Sequence, residues 1–207
     1  MNHEAKDELT LTTQSDQPVI EWDDEMVLGN AQLDEVHHEM TELLNRLAMA
    51  SESELLSVLD ECIAHTRAHF DLEEGWMARL SFPAAGCHIS EHNQVFGVMK
   101  QVRDCVVNGD TQYAYVLAKE LGAWLRIHAG TMDYALTYFI ESTQADLSHP
   151  ASAAEVKKIM GHDGCGCGST DQREELSENN GYLHYMVEIS SSSKSSSPPY
   201  NSTKVGI

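Results

Sequence analysis

Apolar residues recur every three to four positions in four successive stretches of the chain, the spacing of one face of an α-helix. In residues 33–50 the stripe is Leu33, Val36, His37, Met40, Leu44 and Leu47. In residues 54–80 it is Leu55, Leu59, Cys62, Thr66, His69, Glu73 and Trp76. Residues 87–107 carry His88, His92, Val95, Met99, Val102 and Val106. Residues 112–142 carry Leu117, Leu121, Trp124, His128, Met132, Ala135 and Phe139. No stretch keeps up the alternation of a strand. The interruptions are short: Ser51 to Ser53, then Ser81-Phe82-Pro83 with Gly86, then Asn108-Gly109-Asp110. Serine offers helix N-caps, and Pro, Gly and Asn punctuate. Long helices on short connections predict an all-α fold, an up-down-up-down four-helix bundle.

The flanks read differently. Residues 1–20 form a polar N-terminal arm, residues 21–145 the bundle, and residues 146–207 a low-complexity C-terminal extension. Within the extension, residues 151–160 have the makings of a short helix. A glycine-rich loop with His162, Cys165 and Cys167 follows, and then an almost unbroken serine run at 190–197. Serine tracts bury too little apolar area to order themselves, so the tail is expected to be disordered.

Charge narrows the range of partners. The chain has 13 basic and 33 acidic residues, a formal net charge of −20. Residues 150–207 hold 5 of the basic and 7 of the acidic residues, which leaves 8 and 26 in residues 1–149. Such an anionic bundle repels nucleic-acid phosphates and anionic lipid heads. No run of about 18 apolar residues predicts a membrane span, and the polar N-terminus lacks the pattern of a secretory signal. The expected location is the cytoplasm, with no nucleic-acid or membrane partner. The five cysteines are odd in number and lack the spacing of a secreted disulfide framework.

The chemistry lies where polar residues interrupt the core stripes. His37 sits on the first helix, His69 and Glu73 on the second, His88 and His92 on the third, and His128 on the fourth. A buried carboxylate without a partner is costly, and several such groups in one core call for a shared multivalent cation. The pairs His69/Glu73 and His88/His92 are spaced i, i+4, about one turn apart on one face. Imidazole with carboxylate suits iron. Asp133 is five residues beyond His128, about 140° around an ideal helix. Both can point inward only if the helix is locally distorted, and Gly130 between them marks a place for a kink or π-bulge.

These residues resemble a bacterial hemerythrin. The matching pieces are Asp34-Glu35-Val36-His37, then His69 to Met77 (HFDLEEGWM), then Phe82-Pro83 with His88 and His92, then Trp124-Leu125-Arg126-Ile127-His128 with Asp133. One histidine, H-x-x-x-E, H-x-x-x-H and H-x-x-x-x-D follow in order on four helices. Each is weak alone, and the ordered set is specific. The resemblance covers roughly residues 22–140. It implies a cofactor of two iron ions (Fe2+/Fe3+) with an oxo or hydroxo bridge. His88, His92 and His128 would hold one iron, His37 and His69 the other, and Glu73 and Asp133 both. It implies reversible dioxygen binding at an open position of the two-histidine iron, in a pocket lined by Trp124 and Leu125, with Phe70 and Met40 as neighbours. The role implied is carrier, store or delivery protein, with no catalytic residues. A di-iron peroxidase or oxidase, or a sensor of oxygen, redox state or iron, is the alternative. Five neutral imidazoles against two carboxylates favour binding over further oxidation. The chain departs from the family at Val36, where glutamine is usual.

His3, His38, His65, His149 and His184 are ordinary polar histidines on the same reading, with His65, four residues before His69, the candidate for an outer contact. The Cys-x-Cys at Cys165 and Cys167 is tighter than usual zinc spacing, so a plain loop is expected there.

Overall fold

The computed structural model describes residues 14–147. The segment 151–160, the glycine-rich stretch with His162, Cys165 and Cys167, the serine run, and His3, His149 and His184 lie outside the described residues. A 3-10 turn, Asp24–Met26, precedes α1 (Ala31–Met49), α2 (Glu52–Leu80), α3 (Ala85–Val107) and α4 (Gln112–His128). A π-helical turn, Ala129–Asp133, joins α4 to α5 (Tyr134–Thr143). His128, Ala129, Asp133 and Tyr134 all keep right-handed helical angles, so α4, the π turn and α5 form one continuous fourth rod. The four rods pack as an antiparallel bundle, α1 against α2 and α4, and α3 against α2 and α4. Among the described residues there is no strand, and no helix is long and apolar enough to cross a membrane.

The ends of the rods follow from local chemistry. Asn30 caps α1 by accepting the Leu33 N–H at 3.1 Å. The Asp34 carboxylate accepts the N–H groups of Leu28 and Gly29 just before the helix. At the start of α2 the Glu54 carboxylate accepts from the Ser51 N–H and hydroxyl, the back-bonding half of a capping box. The helix ends at Ser81 with φ 51°, and the Phe82 N–H turns back to the Met77 carbonyl at 3.0 Å. Gly109, with φ 100°, makes the turn between α3 and α4, a conformation that L-residues avoid.

The core stripes of α1, α2 and α3 are buried as the periodicity predicts, with Val36 only half-buried. The fourth rod differs. Leu117, Leu121 and His128 are buried, but beyond His128 the buried residues are Ala129, Asp133, Leu136, Thr137 and Ile140. The expected Ala135 is exposed, and Met132 and Phe139 are half-buried. The π turn is the cause. It spends one extra residue per turn and shifts the inward face by one position. Its signature is the Tyr134 N–H bonded five residues back to Ala129. The Thr131 hydroxyl takes up the Ile127 carbonyl at 2.7 Å. A Cβ added at Gly130 would meet nothing, so the turn does not depend on glycine there.

Two apolar clusters fill the bundle. One contains Met40, Phe70, Val95 and Leu125, and the other Leu33, Trp76, Ile89 and Leu136. On every rod the histidine and carboxylate positions fall between a member of the first and a member of the second. The polar layer is thus closed at both ends by packed side chains. Cys62 lies in the first cluster, where burial pushes its thiol up to about 12 and leaves it an inert core residue.

The arm preceding α1 lies across α1 and α4. Asn45 accepts the N–H groups of Val19 (2.8 Å) and Ile20 (3.2 Å) and donates to the Ile20 carbonyl (2.8 Å). Ile20 fills the space over Gly122, where a Cβ would come within 3.2 Å of it. Arg126 holds Asp23 and the Glu21 carbonyl, and Trp22 meets His38 edge-on. Asn45→Ala removes the partner of three backbone groups and is expected to cost about 1–3 kcal/mol. The urea midpoint reads this, and an unchanged midpoint would mean the arm adds nothing to folding.

Candidate metal centre

Seven ionisable side chains from all four rods meet between the apolar clusters. His37, His69, Glu73, His88, His92, His128 and Asp133 are each at most 3% exposed. Their donor atoms fall into two groups, each compact enough to surround one ion. Glu73, His88, His92, His128 and Asp133 form one, and His37, His69, Glu73 and Asp133 the other. The two carboxylates belong to both.

Asp133 spans the groups with different oxygens. Oδ1 lies 3.0 Å from His88 Nε2 and 3.1 Å from His128 Nε2, whereas Oδ2 lies 3.1 Å from His37 Nε2. Glu73 Oε2 lies 3.4 Å from His69, 3.2 Å from His92 and 3.6 Å from His88. The imidazoles crowd one another too, with Nε2 of His37 and His69 at 3.3 Å and those of His88 and His128 at 3.0 Å. The π turn makes this possible. It rotates Asp133 onto the face that His128 already occupies, as the i+5 spacing requires.

Neither carboxylate is satisfied by the protein. All four oxygens of Glu73 and Asp133 are buried without a properly directed hydrogen bond among the described residues. Buried acceptors in that state cost several kcal/mol. Convergent imidazole lone pairs add to the cost. A cation satisfies both at once, so the donor set fits a metal ion, and hard carboxylate with borderline imidazole fits iron among common metals.

The rings are held in place by aromatic neighbours. Phe70 stacks in parallel on His92 at 3.8 Å and leans on His69 at 5.5 Å. Trp124 stacks on His128 at 4.3 Å and meets Phe70 edge-on. Leu125 and Met40 are buried in the same apolar cluster, and Met40 Sδ accepts the Thr66 hydroxyl. All four expected pocket residues therefore lie in the apolar cluster on one side of the polar layer, Trp124 at its edge. Two of them touch the rings directly.

Sequence reading missed two outer carboxylates. Glu91 Oε2 is 3.0 Å from His128 Nδ1. Glu74, 3% exposed, accepts from Arg67 at 2.9 Å and lies 3.5 Å from His92 Nδ1. His65 does not face the cluster. Its Nε2 donates to the Val36 carbonyl at 3.0 Å, and burial lowers its pKa. It ties α2 to α1 beside His37. His38 is exposed.

Electrostatics make cation uptake a proton exchange. Burial first, then the charge of Asp133, raises the Glu73 pKa. Burial opposes charge on His128, but the adjacent Asp133 carboxylate and the hydrogen bond to Glu91 outweigh it and lift the ring to about 10. Burial holds His69 down at about 4. Without a cation, Glu73 and His128 thus tend to keep protons that a bound metal must displace. Affinity is expected to rise with pH across the neutral range, with proton release on binding. Chelator competition at about pH 6 and about pH 9 tests this, and equal affinities would show that no proton is displaced.

Comparison with known proteins agrees with this geometry. Residues 28–137 match the family described as "Hemerythrin HHE cation binding domain". The chain is 37% identical over 136 residues to a bacteriohemerythrin of Ralstonia nicotianae, covering 66% of this chain and 99% of that protein. It is also 31% identical over 75 residues to a bacteriohemerythrin of Stenotrophomonas maltophilia, covering 34% of this chain and 49% of that protein.

Proposed function

The chain belongs to the hemerythrin family of cation-binding helical bundles, and on that premise we propose that its buried cluster holds two iron ions and binds dioxygen reversibly. His88, His92 and His128 serve one iron, His37 and His69 the other, and Glu73 and Asp133 serve both. The observation that carries this reading is the sharing of carboxylates. Asp133 offers Oδ1 to the three-histidine group and Oδ2 to the two-histidine group. Iron held by these residues would supply the electrons for binding dioxygen.

The protein's own part is placement and exclusion of water. The two-histidine group has fewer protein donors, four residues against five, and is the position read as open to dioxygen. Phe70, Met40, Leu125 and Trp124 cover the cluster with apolar surface. Such cover keeps water and protons from a bound small molecule. No side chain is assigned a catalytic role. The function is that of a carrier, store or delivery protein.

Repeated oxygenation separates this from an enzyme. The reduced, iron-loaded chain is expected to take up dioxygen, change its absorption spectrum, and return to the starting spectrum when oxygen is removed. One-way oxidation with steady consumption of peroxide or dioxygen would replace the carrier reading with a peroxidase or oxidase.

A further inference from the structure

The proposed ligand rings differ in what holds their outward nitrogens. His128 Nδ1 lies 3.0 Å from Glu91 Oε2, a contact across the α3–α4 interface. The Nδ1 atoms of His37 and His88 are buried with no hydrogen-bond partner among the described residues. His92 Nδ1 lies 3.5 Å from Glu74 without forming a hydrogen bond, and the same Glu74 oxygen accepts from Arg67 at 2.9 Å. One ring of the three-histidine group therefore has a charged acceptor in hydrogen-bonding position.

We propose that Glu91 is a positioning residue of the metal centre: it accepts the Nδ1–H of His128, sets that ring's tautomer and plane, and keeps Nε2 as the lone-pair donor facing the cluster. The inference rests on the di-iron reading, in which His128 is a ligand. Glu91 suits the task by position. It is three residues after His88 and one before His92, so the helix that brings two of the rings also brings the carboxylate that orients the third. Its side chain is 27% exposed, so water shares the cost of its charge. Trp124 limits the same ring from one face at 4.3 Å. Stack and hydrogen bond together leave the His128 ring little freedom. A carboxylate behind a ligating imidazole also makes that imidazole a stronger donor. Glu91 thus strengthens the three-histidine position and leaves His37 of the two-histidine group without an equivalent.

The test uses the full-length chain and two substitutions, Glu91→Ala and Glu91→Gln. Release of iron from the loaded protein to excess chelator is expected to be about 10–100-fold faster in the alanine variant. Glutamine keeps an oxygen acceptor at the same reach and is expected to restore most of the loss, which a merely structural effect of cutting the side chain would not do. In the zinc-loaded chain, a slowly exchanging Nδ1–H proton signal of His128 is expected in the parent and the glutamine variant and absent in the alanine variant. Alanine-variant iron release within about twofold of the parent, or an unchanged His128 Nδ1–H signal, would overturn the proposal and leave the di-iron reading standing. A parent chain that takes up no iron would overturn the di-iron reading instead, and the zinc-loaded signal then decides the role of Glu91 alone.

Discussion

Asp133→Ala is expected to empty both cation positions in one step. Asp133 reaches the three-histidine group with Oδ1 and the two-histidine group with Oδ2. No other residue but Glu73 belongs to both groups, and Glu73 meets them with a single oxygen, Oε2. Without Asp133 the two ions would face each other with one carboxylate between them and five neutral imidazoles around them. Repulsion between like charges at close range is severe where water is excluded. The metal-free bundle also loses by the change. Asp133 is held well below the ordinary carboxylate range: burial opposes its charge, but the adjacent His128, with the His37 and His88 rings 3.1 and 3.0 Å from its oxygens, outweighs burial. Removing one member of a buried pair costs about 3–5 kcal/mol. Elemental analysis of the purified variant checks the first claim. Retention of one iron per chain would mean that Asp133 serves a single position.

His128→Ala has the second-largest expected effect. It removes a donor from the three-histidine group, the hydrogen-bond partner of Glu91, and the ring beneath Trp124. Iron content is expected to collapse, and the metal-free bundle to lose about 3–5 kcal/mol because Asp133 is left without its charged partner. The sign with pH follows from the raised ring. A group whose folded pKa lies above its unfolded value stabilises the fold below the unfolded value and stops doing so as pH passes the folded one. The stability gap between parent and variant should therefore shrink as pH rises from 6.5 through about 10. His38→Ala is the comparison. His38 is exposed and meets Trp22 edge-on at 5.5 Å, so a change within about 0.5 kcal/mol and full iron content are expected. Equal iron content in the two variants would refute the assignment of His128.

Much of this site is legible in the sequence because a polar residue on a core stripe is conspicuous. His69, Glu73, His88, His92 and His128 each break an otherwise apolar run at helical spacing, and the cost of burying them points to a shared ion. Asp133 was visible only through the family pattern, since five residues do not return to the same face of an α-helix. The same fact misled the reading of the fourth rod. An undistorted α-helical stripe continues to Met132, Ala135 and Phe139, whereas the π turn moves the inward face to Asp133, Leu136 and Ile140. A π turn has no strong composition of its own, and Gly130 was a poor marker for it. Glu91 and Glu74 were illegible for another reason. Both lie beside a ligand position, and only the partner helix or Arg67 gives them a role. The hold of Asn45 and Arg126 on the arm is likewise a contact between distant residues that periodicity cannot foresee.

Anaerobic titration of the metal-free full-length chain with iron(II) tests the central claim most directly. Two groups of donors sharing Glu73 and Asp133 predict uptake that saturates at about two ions per chain. Saturation at one ion, or uptake equal to that of the Asp133→Ala variant, would contradict it.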